Sequence, residues 1–286
     1  MIHIKKNPII IIDGNLYLYR YYYVFPNFKN ASGTPSGAIY GMIKMIYSLL
    51  NKYKDSKKFI IIFDSSKNTF RKKIFKEYKN HRKPMPNTLY VQIAPLLTIL
   101  KNSGIKTLTI KNVEADDIIG SLSYKFEKEG EEILIVSDDK DMLQLITENI
   151  YVLNKSNNII TLQTIQKKYG IRPKSLIDLL ALTGDVSDNI PGIPKIGIKT
   201  ALYLLQTFSN IKNIYYNIKK IPNLSFRNAK NIAIQLKNYK KTAFISYELA
   251  KIKLDVPIQI TLEEINLKLH SSKKLLDSFK EYDSQK

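Results

Sequence analysis

Ile9-Ile10-Ile11-Ile12-Asp13 is a wholly apolar run that ends in an aspartate. The pattern recurs at Phe59 to Phe63 before Asp64, and at Ile133 to Val136 before Asp138 and Asp139. A strand with one wet face alternates apolar and polar residues, whereas a strand buried on both faces does not. These runs therefore predict a parallel sheet. Helical spacing lies between them, at Ile39, Met42, Ile43, Ile46, Leu49, Leu50 and Tyr53, and again at Leu89, Ile93, Leu96, Leu97 and Leu100. Pro95 is expected to kink the second helix. Strands alternating with helices predict an α/β doubly wound sheet, whose ligands gather at the carboxyl ends of the strands, where these aspartates stand.

Beyond Arg172 the strand signal disappears. Ser175-Leu-Ile-Asp178 reads as a capping box opening a helix, and the turn Pro191 to Gly197 leads into another helix over 199–208. Lysine-rich helical sequence runs to Ala250, an extended piece over 255–260, and a last helix over 273–282. The expected organisation is an α/β lobe over 1–173 and an all-α lobe over 174–286, without repeats or a long linker.

The chain has 286 residues, 44% hydrophobic and 24% charged, which suits a packed core rather than disorder. With no cysteine there is no disulfide scaffold, thiolate zinc site or cysteine nucleophile. The apolar runs are too short to span a membrane, and MIHIKKNPIIIID lacks the features of a signal peptide, so a cytoplasmic location is expected. The formal net charge of +20 suggests a polyanionic partner. Arginine occurs only at positions 20, 71, 82, 172 and 227, and the abundant Lys, Ile, Asn and Tyr all have AT-rich codons. Charge alone therefore leaves nucleic-acid binding and a biased genome equally open; its placement decides.

Acidic residues cluster in Glu114-Ala-Asp116-Asp117, Asp138-Asp139-Lys-Asp141 and Asp185-Val-Ser-Asp188. Each cluster alone reads equally well as a helix cap or turn. Convergence with Asp13 and Asp64 on one sheet edge favours metal. Oxygen-only donors select Mg²⁺ or Mn²⁺, and two such ions would perform phosphoryl transfer with activated water. His3, His81 and His270 adjoin no acidic cluster, which argues against a histidine-based nuclease.

Between residues 67 and 83 stand Lys67, Arg71, Lys72, Lys73, Lys76, Lys79, Arg82 and Lys83 against a single Glu77, with Phe70, Phe75 and Tyr78 interleaved. Lys72, Lys76, Lys79 and Lys83 fall on one helical face, as do Lys79 and Arg82. The placement after the Asp64 strand predicts a phosphate clamp rather than a merely solvated lysine face. Gly192-Ile-Pro-Lys-Ile-Gly197-Ile-Lys199-Thr200 misses P-loop spacing by one residue and follows no strand, so it reads as a helix–hairpin–helix gripping DNA phosphate.

Together, Ile-Asp13-Gly14-Asn…Tyr-Arg20, Phe-Asp64, Phe70-Arg71…Tyr78-Lys79-Asn-His-Arg82, Glu114-Ala-Asp116-Asp117, Asp139-Lys-Asp141 and Leu-Thr-Gly184-Asp185-Val-Ser-Asp188-Asn189-Ile-Pro-Gly192 resemble the 5′-nuclease (flap endonuclease) superfamily. The nearest likeness is to the 5′–3′ exonuclease domain of bacterial DNA polymerase I, over about residues 8–282. The resemblance implies a PIN-like sheet with a helical arch at about 67–88 and a helix–hairpin–helix (H2TH) lobe. It implies hydrolysis at 5′ flaps, nicks and RNA primers in DNA replication and repair, leaving 5′-phosphates. Asp13, Asp64, Glu114 and Asp116 would hold the first metal, Asp139, Asp141, Asp185 and Asp188 the second, with Asp116 and Asp117 near both. Lys79 and Arg82 would contact the scissile phosphate, while Arg20, Arg71, Lys73, Tyr78, Lys195, Gly197 and Lys199 would bind nucleic acid. A K⁺ ion would sit on the hairpin carbonyls. Lys195 replaces the first glycine of the family's Gly-x-Gly, which weighs against a tight turn and that ion. No polymerase follows residue 286, so the reading is a monomeric nuclease beside a separate polymerase, or a fragment of a longer enzyme. The arch and hairpin argue against a PIN-domain ribonuclease. The intact carboxylate set argues against a non-catalytic DNA-binding protein, because it would repel phosphate.

Overall fold

The structure is a computed structural model that describes residues 7–65, 69–268 and 271–282; Lys67, His3 and His270 lie outside them. Strands β1 (Ile9–Asp13), β2 (Phe59–Ile62), β3 (Lys106–Leu108), β4 (Ile133–Val136) and β5 (Ile150–Leu153) are parallel, and β6 (Ile159–Ile160) is antiparallel. Their order is β3-β2-β1-β4-β5-β6. All residues of β1, β2 and β4 are buried, which is why their sequences do not alternate. They sort by parity instead. Ile9, Ile11, Ile60, Ile62, Ile133 and Ile135 enter one core, while Ile10, Ile12, Phe59, Ile61, Leu134 and Val136 enter the other.

Helices α1 (Gly14–Val24), α2 (Gly37–Lys52), α3 (Phe70–Ile74), α4 (Asn87–Asn102), α5 (Ala115–Lys128) and α6 (Leu162–Tyr169) belong to this α/β part. Pro95 lies within α4 without ending it. The second core is closed by α1, α2 and α4, and the first by α5 through Ile118, Ile119, Leu122 and Phe126. The same first core continues through α7 (Leu176–Thr183), α8 (Ile198–Phe208), α9 (Ile211–Tyr216), α10 (Ala229–Asn238) and α11 (Lys240–Ala250). The helical part is thus built onto the α5 face of the sheet. Residues 252–260 then return along α5, 264–268 run beside the chain next to β2 and β3, and α12 (Ser271–Tyr282) places Leu275 in the core beside α2 and α4.

Two local expectations are corrected. Ser175 does not cap α7; its hydroxyl bonds the Ser209 carbonyl, and Asp178 instead accepts from Ile211 N at 2.9 Å, at the start of α9. The arm is not a continuous helix. After α3, Phe75 is extended, turns follow, and Lys79 takes φ +52°. Like charges on one helical face repel, and better partners exist: Lys79 N donates to the Asp188 carbonyl at 3.0 Å, and Asn189 Nδ2 to the Glu77 carbonyl at 2.8 Å.

Candidate active site

The sheet order places its topological switch at β1, with β2 on one side and β4 on the other. Asp13 ends β1 and caps α1, accepting from Leu16 N at 3.1 Å. The turn is tight: a Cβ on Gly14 would lie 2.7 Å from the Ile62 carbonyl. Asp64 follows β2, accepts from Ala115 N at 2.7 Å, and so caps α5; its own N–H is held by Asn15 Oδ1. Asp139 follows β4 and accepts from Asp141 N at 2.8 Å. Ser137 ties two strand ends together, donating to Asp13 Oδ2 at 3.0 Å while its oxygen accepts from Asp139 N.

Among the described residues Asp13, Asp64, Asp116, Asp139 and Asp141 form no ion pair. Burial pushes the Asp13 carboxyl up to about 7, against the bonds from Leu16 and Ser137, and Asp64 and Asp139 add repulsion. Asp141 also rises to about 7, by burial and then by repulsion from Asp139, Asp188 and Asp185, and its Oδ1 has no hydrogen-bond partner. Asp116 stands well above the usual carboxylate range for lack of water, with Asp139, Asp13 and Asp64 adding to the effect. Asp139 is raised chiefly by burial. Asp64 is raised too, by partial loss of water, although it keeps contact with solvent.

The other carboxylates are paired. Lys79 Nζ lies 2.7 Å from Glu114 Oε2 and 3.4 Å from Asp188 Oδ2; Arg82 lies 2.6 Å from Asp188 Oδ1. Burial would raise Glu114, but Lys79 and Arg71 outweigh it and hold the carboxyl at about 2. Asp185 is lowered because Lys140, 3.0 Å away, and Ser187 outweigh its desolvation. Lys79 loses water, yet Glu114, Asp116 and Asp188 keep its pKa well above that of free lysine.

Three assignments change with these contacts. Arg71 is enclosed and donates to Asp117, Glu114 and two carbonyls, so it is not a phosphate contact. Tyr78 is buried, and its hydroxyl lies 3.0 Å from Asp188 Oδ2 and 3.2 Å from Glu114 Oε2, so it does not face nucleic acid. Asp117 is spent on both guanidinium nitrogens of Arg71 and on Lys253 N, so it is not a metal ligand. Arg20 reaches Asp138 at 2.7 Å. Lys73, Lys195, Gly197 and Lys199 are exposed. Lys195 adopts φ +67°, so the hairpin turn forms without the family's glycine, with Ile193 and Ile196 buried beneath it. Sequence reading missed Ser137 and Lys140. Their signal was position: each directly adjoins the Asp138-Asp139 pair.

As placed, no three carboxylates among the described residues stand close enough to hold one ion. Lys79 lies between Glu114 and Asp188, while Arg82 holds Asp188 and Lys140 holds Asp185. Among the described residues, no helix is long and apolar enough to cross a membrane.

Solved structures share this fold. T5 5′-exonuclease with bound divalent metal ions (zinc) superposes with a TM-score of 0.67 at 23% identity, over 85% of this chain and 88% of that one. The catalytic core of Rad2 in complex with DNA substrate gives 0.60 at 17%, over 98% and 88%. In sequence, the 5′-3′ exonuclease of Buchnera aphidicola subsp. Schizaphis graminum is 68% identical over 99% of both chains. DNA polymerase I of Pseudomonas aeruginosa is 37% identical over 91% of this chain but 29% of its own length. Residues 8–170 match the 5′-3′ exonuclease N-terminal resolvase-like domain, and 171–273 the 5′-3′ exonuclease C-terminal SAM fold. With the two models matching adjoining stretches over residues 8–273, the chain belongs to the 5′-3′ exonuclease family and is a nuclease.

Proposed function

We propose that the carboxylate-bearing edge of the sheet and the arm against it form a catalytic cleft, and that it hydrolyses phosphodiesters at 5′ flaps, nicks and RNA primers with two divalent cations. The observation that carries this reading is the unpaired carboxyl group at the sheet edge, where proton affinities are raised and Asp141 Oδ1 is orphaned. Such crowding is costly unless cations relieve it. The donor set fits Mg²⁺ or Mn²⁺, being oxygen only. Asp13, Asp64 and Asp116 would hold one ion and Asp139 and Asp141 the other, once cations draw together carboxylates that stand too far apart as placed here. Glu114, Asp185 and Asp188 would join as Lys79, Arg82 and Lys140 release them. Bound there, the ions would supply hydroxide at neutral pH and neutralise developing charge.

The chain's own groups do the rest. Lys79 and Arg82, once released, hold the non-bridging oxygens of the scissile phosphate, where positive charge favours the transition state over the ground state. Water attacks phosphorus and the bond to the 3′ oxygen breaks, giving a 5′-phosphate and a 3′-hydroxyl. Arg20 and Lys73 would contact the nucleic acid, and Lys195, Gly197 and Lys199 would grip downstream duplex, with K⁺ as a candidate at that turn. The metal-bearing T5 enzyme and the DNA-bound Rad2 core support this reading. The likeness to one segment of DNA polymerase I supports a DNA polymerase as partner. The two family matches, meeting at 170 and 171, support lobes of 1–173 and 174–286.

The test is a labelled 5′-flap duplex with Mg²⁺ or EDTA, products sized, beside single-stranded RNA. Cleavage near the junction with Mg²⁺ only is expected. Preference for the RNA would replace this reading with the PIN-type ribonuclease, and metal-independent binding without cleavage would leave a DNA-binding protein.

A further inference from the structure

Arg71 is 2% exposed. A guanidinium carries five N–H donors in one rigid plane. Here Nε donates to the Leu249 carbonyl at 2.8 Å. One Nη donates to Glu114 Oε1 at 3.1 Å and to Asp117 Oδ2 at 2.8 Å. The other donates to Asp117 Oδ1 and to the Lys251 carbonyl, both at 2.8 Å. No donor remains for a phosphate. The acceptors come from separate pieces of the chain: the first turn of α5 and the exit of α11, clasped by the base of the arm in α3.

Lys253 closes the same joint. Its N–H donates to Asp117 Oδ1 at 2.9 Å, and its ammonium lies 4.1 Å from the centre of the Phe70 ring. Arg71 stands 4.6 Å from that ring, so Phe70 has both cations against it. On α5, Gly120 lets the returning chain approach: a Cβ there would fall 2.5 Å from Ile252 Cγ2.

We infer that Arg71 is a positioning residue of the nuclease site, joining the arm, α5 and the exit of α11 into one unit and so setting where Glu114 and Asp116 stand. Glu114 is held directly. Asp116 is held through its neighbour, because successive helical residues are turned by about 100° and pinning Asp117 fixes the rotation of the first turn. Lysine cannot substitute: three donors on a flexible stem cannot reach five acceptors in one plane. The inference rests on the proposed role of the cleft.

The test compares wild type, Arg71→Lys, Arg71→Gln, Asp117→Asn and the Arg71→Gln/Asp117→Asn double variant as full chains. Three quantities are read: flap affinity and its salt dependence in EDTA, single-turnover cleavage per folded molecule, and Mn²⁺ affinity of the DNA-free protein by paramagnetic resonance. Affinity in EDTA and its salt slope should stay near wild type. Cleavage and Mn²⁺ affinity should each fall about 10–100-fold, as when a group supporting metal ligands is lost. The double variant should be no worse than the worse single one, since both break one joint. A loss confined to flap affinity, with a salt slope shallower by about one phosphate, would overturn the inference in favour of a DNA contact. Wild-type cleavage per folded molecule in Arg71→Lys would overturn it in favour of stability alone. A wild-type chain that neither cuts the flap nor binds Mn²⁺ would remove the cleft reading and this inference together.

Discussion

The cleft has two halves that differ in what balances their charge. On the sheet-edge half, Asp13, Asp64, Asp116, Asp139 and Asp141 have raised pKa values and no ion pair among the described residues. On the arm half, Glu114, Asp117, Asp185 and Asp188 are each held by lysine or arginine. The first half stores repulsion and the second has already spent it. A site that must take up cations needs the former, whereas an arm that must rest somewhere without substrate needs the latter. Lys79 and Arg82 link the halves, since groups that hold carboxylates here are the right groups to hold phosphate later.

The largest expected effect tests the sheet-edge half. Asp116→Ala and Asp139→Asn should each abolish cleavage while flap binding in EDTA stays equal or strengthens, because an anion facing phosphate is gone. Near-wild-type turnover in both would erase the distinction between the halves. Next comes the link. Lys79→Ala should lower single-turnover cleavage on the order of 10²–10³-fold with flap affinity changed only several-fold. A loss appearing wholly in affinity would reduce the arm to a tether.

The halves should also respond oppositely to pH in the metal-free protein. Asp13 and Asp141 at about 7 lie above their unfolded value of 3.8, so the folded chain binds more protons there. Their contribution is most favourable at low pH and is lost as pH rises towards about 8. Glu114, at about 2 against 4.5, contributes stability above 4.5 that is lost as pH falls through 2. Thermal unfolding in EDTA should therefore show Tm falling from about pH 5 to 8, with Mg²⁺ at pH 8 restoring it. A flat profile would mean that the sheet-edge carboxyls find water.

The smallest effect concerns charge outside the cleft. Neutralising the exposed Lys219 and Lys220 should weaken flap binding far less than neutralising Lys79 and Arg82. Equal losses in a salt titration would show that diffuse charge does the binding.

Much of this was legible in sequence for a local reason. An isoleucine run that does not alternate needs two apolar faces, and an aspartate at its end needs the sheet's carboxyl edge. Ile9 to Asp13 therefore announced both strand and site. The short β3 and β6 lacked such runs and went unread, and so did β5, whose apolar Ile150–Leu153 ends in no aspartate. The arm misled because spacing of lysines reports which residues would share a helical face, not whether that helix outcompetes a turn. Lys79 in the left-handed region is held by the Asp188 carbonyl and carboxylate, partners 109 residues away in sequence.

By itself, then, the sequence determined the doubly wound sheet, the edge at which Asp13, Asp64 and Asp139 follow their strands, and the family. Only the tertiary structure decided which carboxylates remain available. Arg71 reads as one more basic residue in a basic arm until its contacts are known. Those contacts join positions 43 to 180 residues apart, and only the packing of α5 and α11 against the arm brings them within hydrogen-bond reach. Residue type and spacing encode which groups are near along the chain; the balance of burial against pairing, which fixes each carboxyl's charge, depends on what the fold places around it.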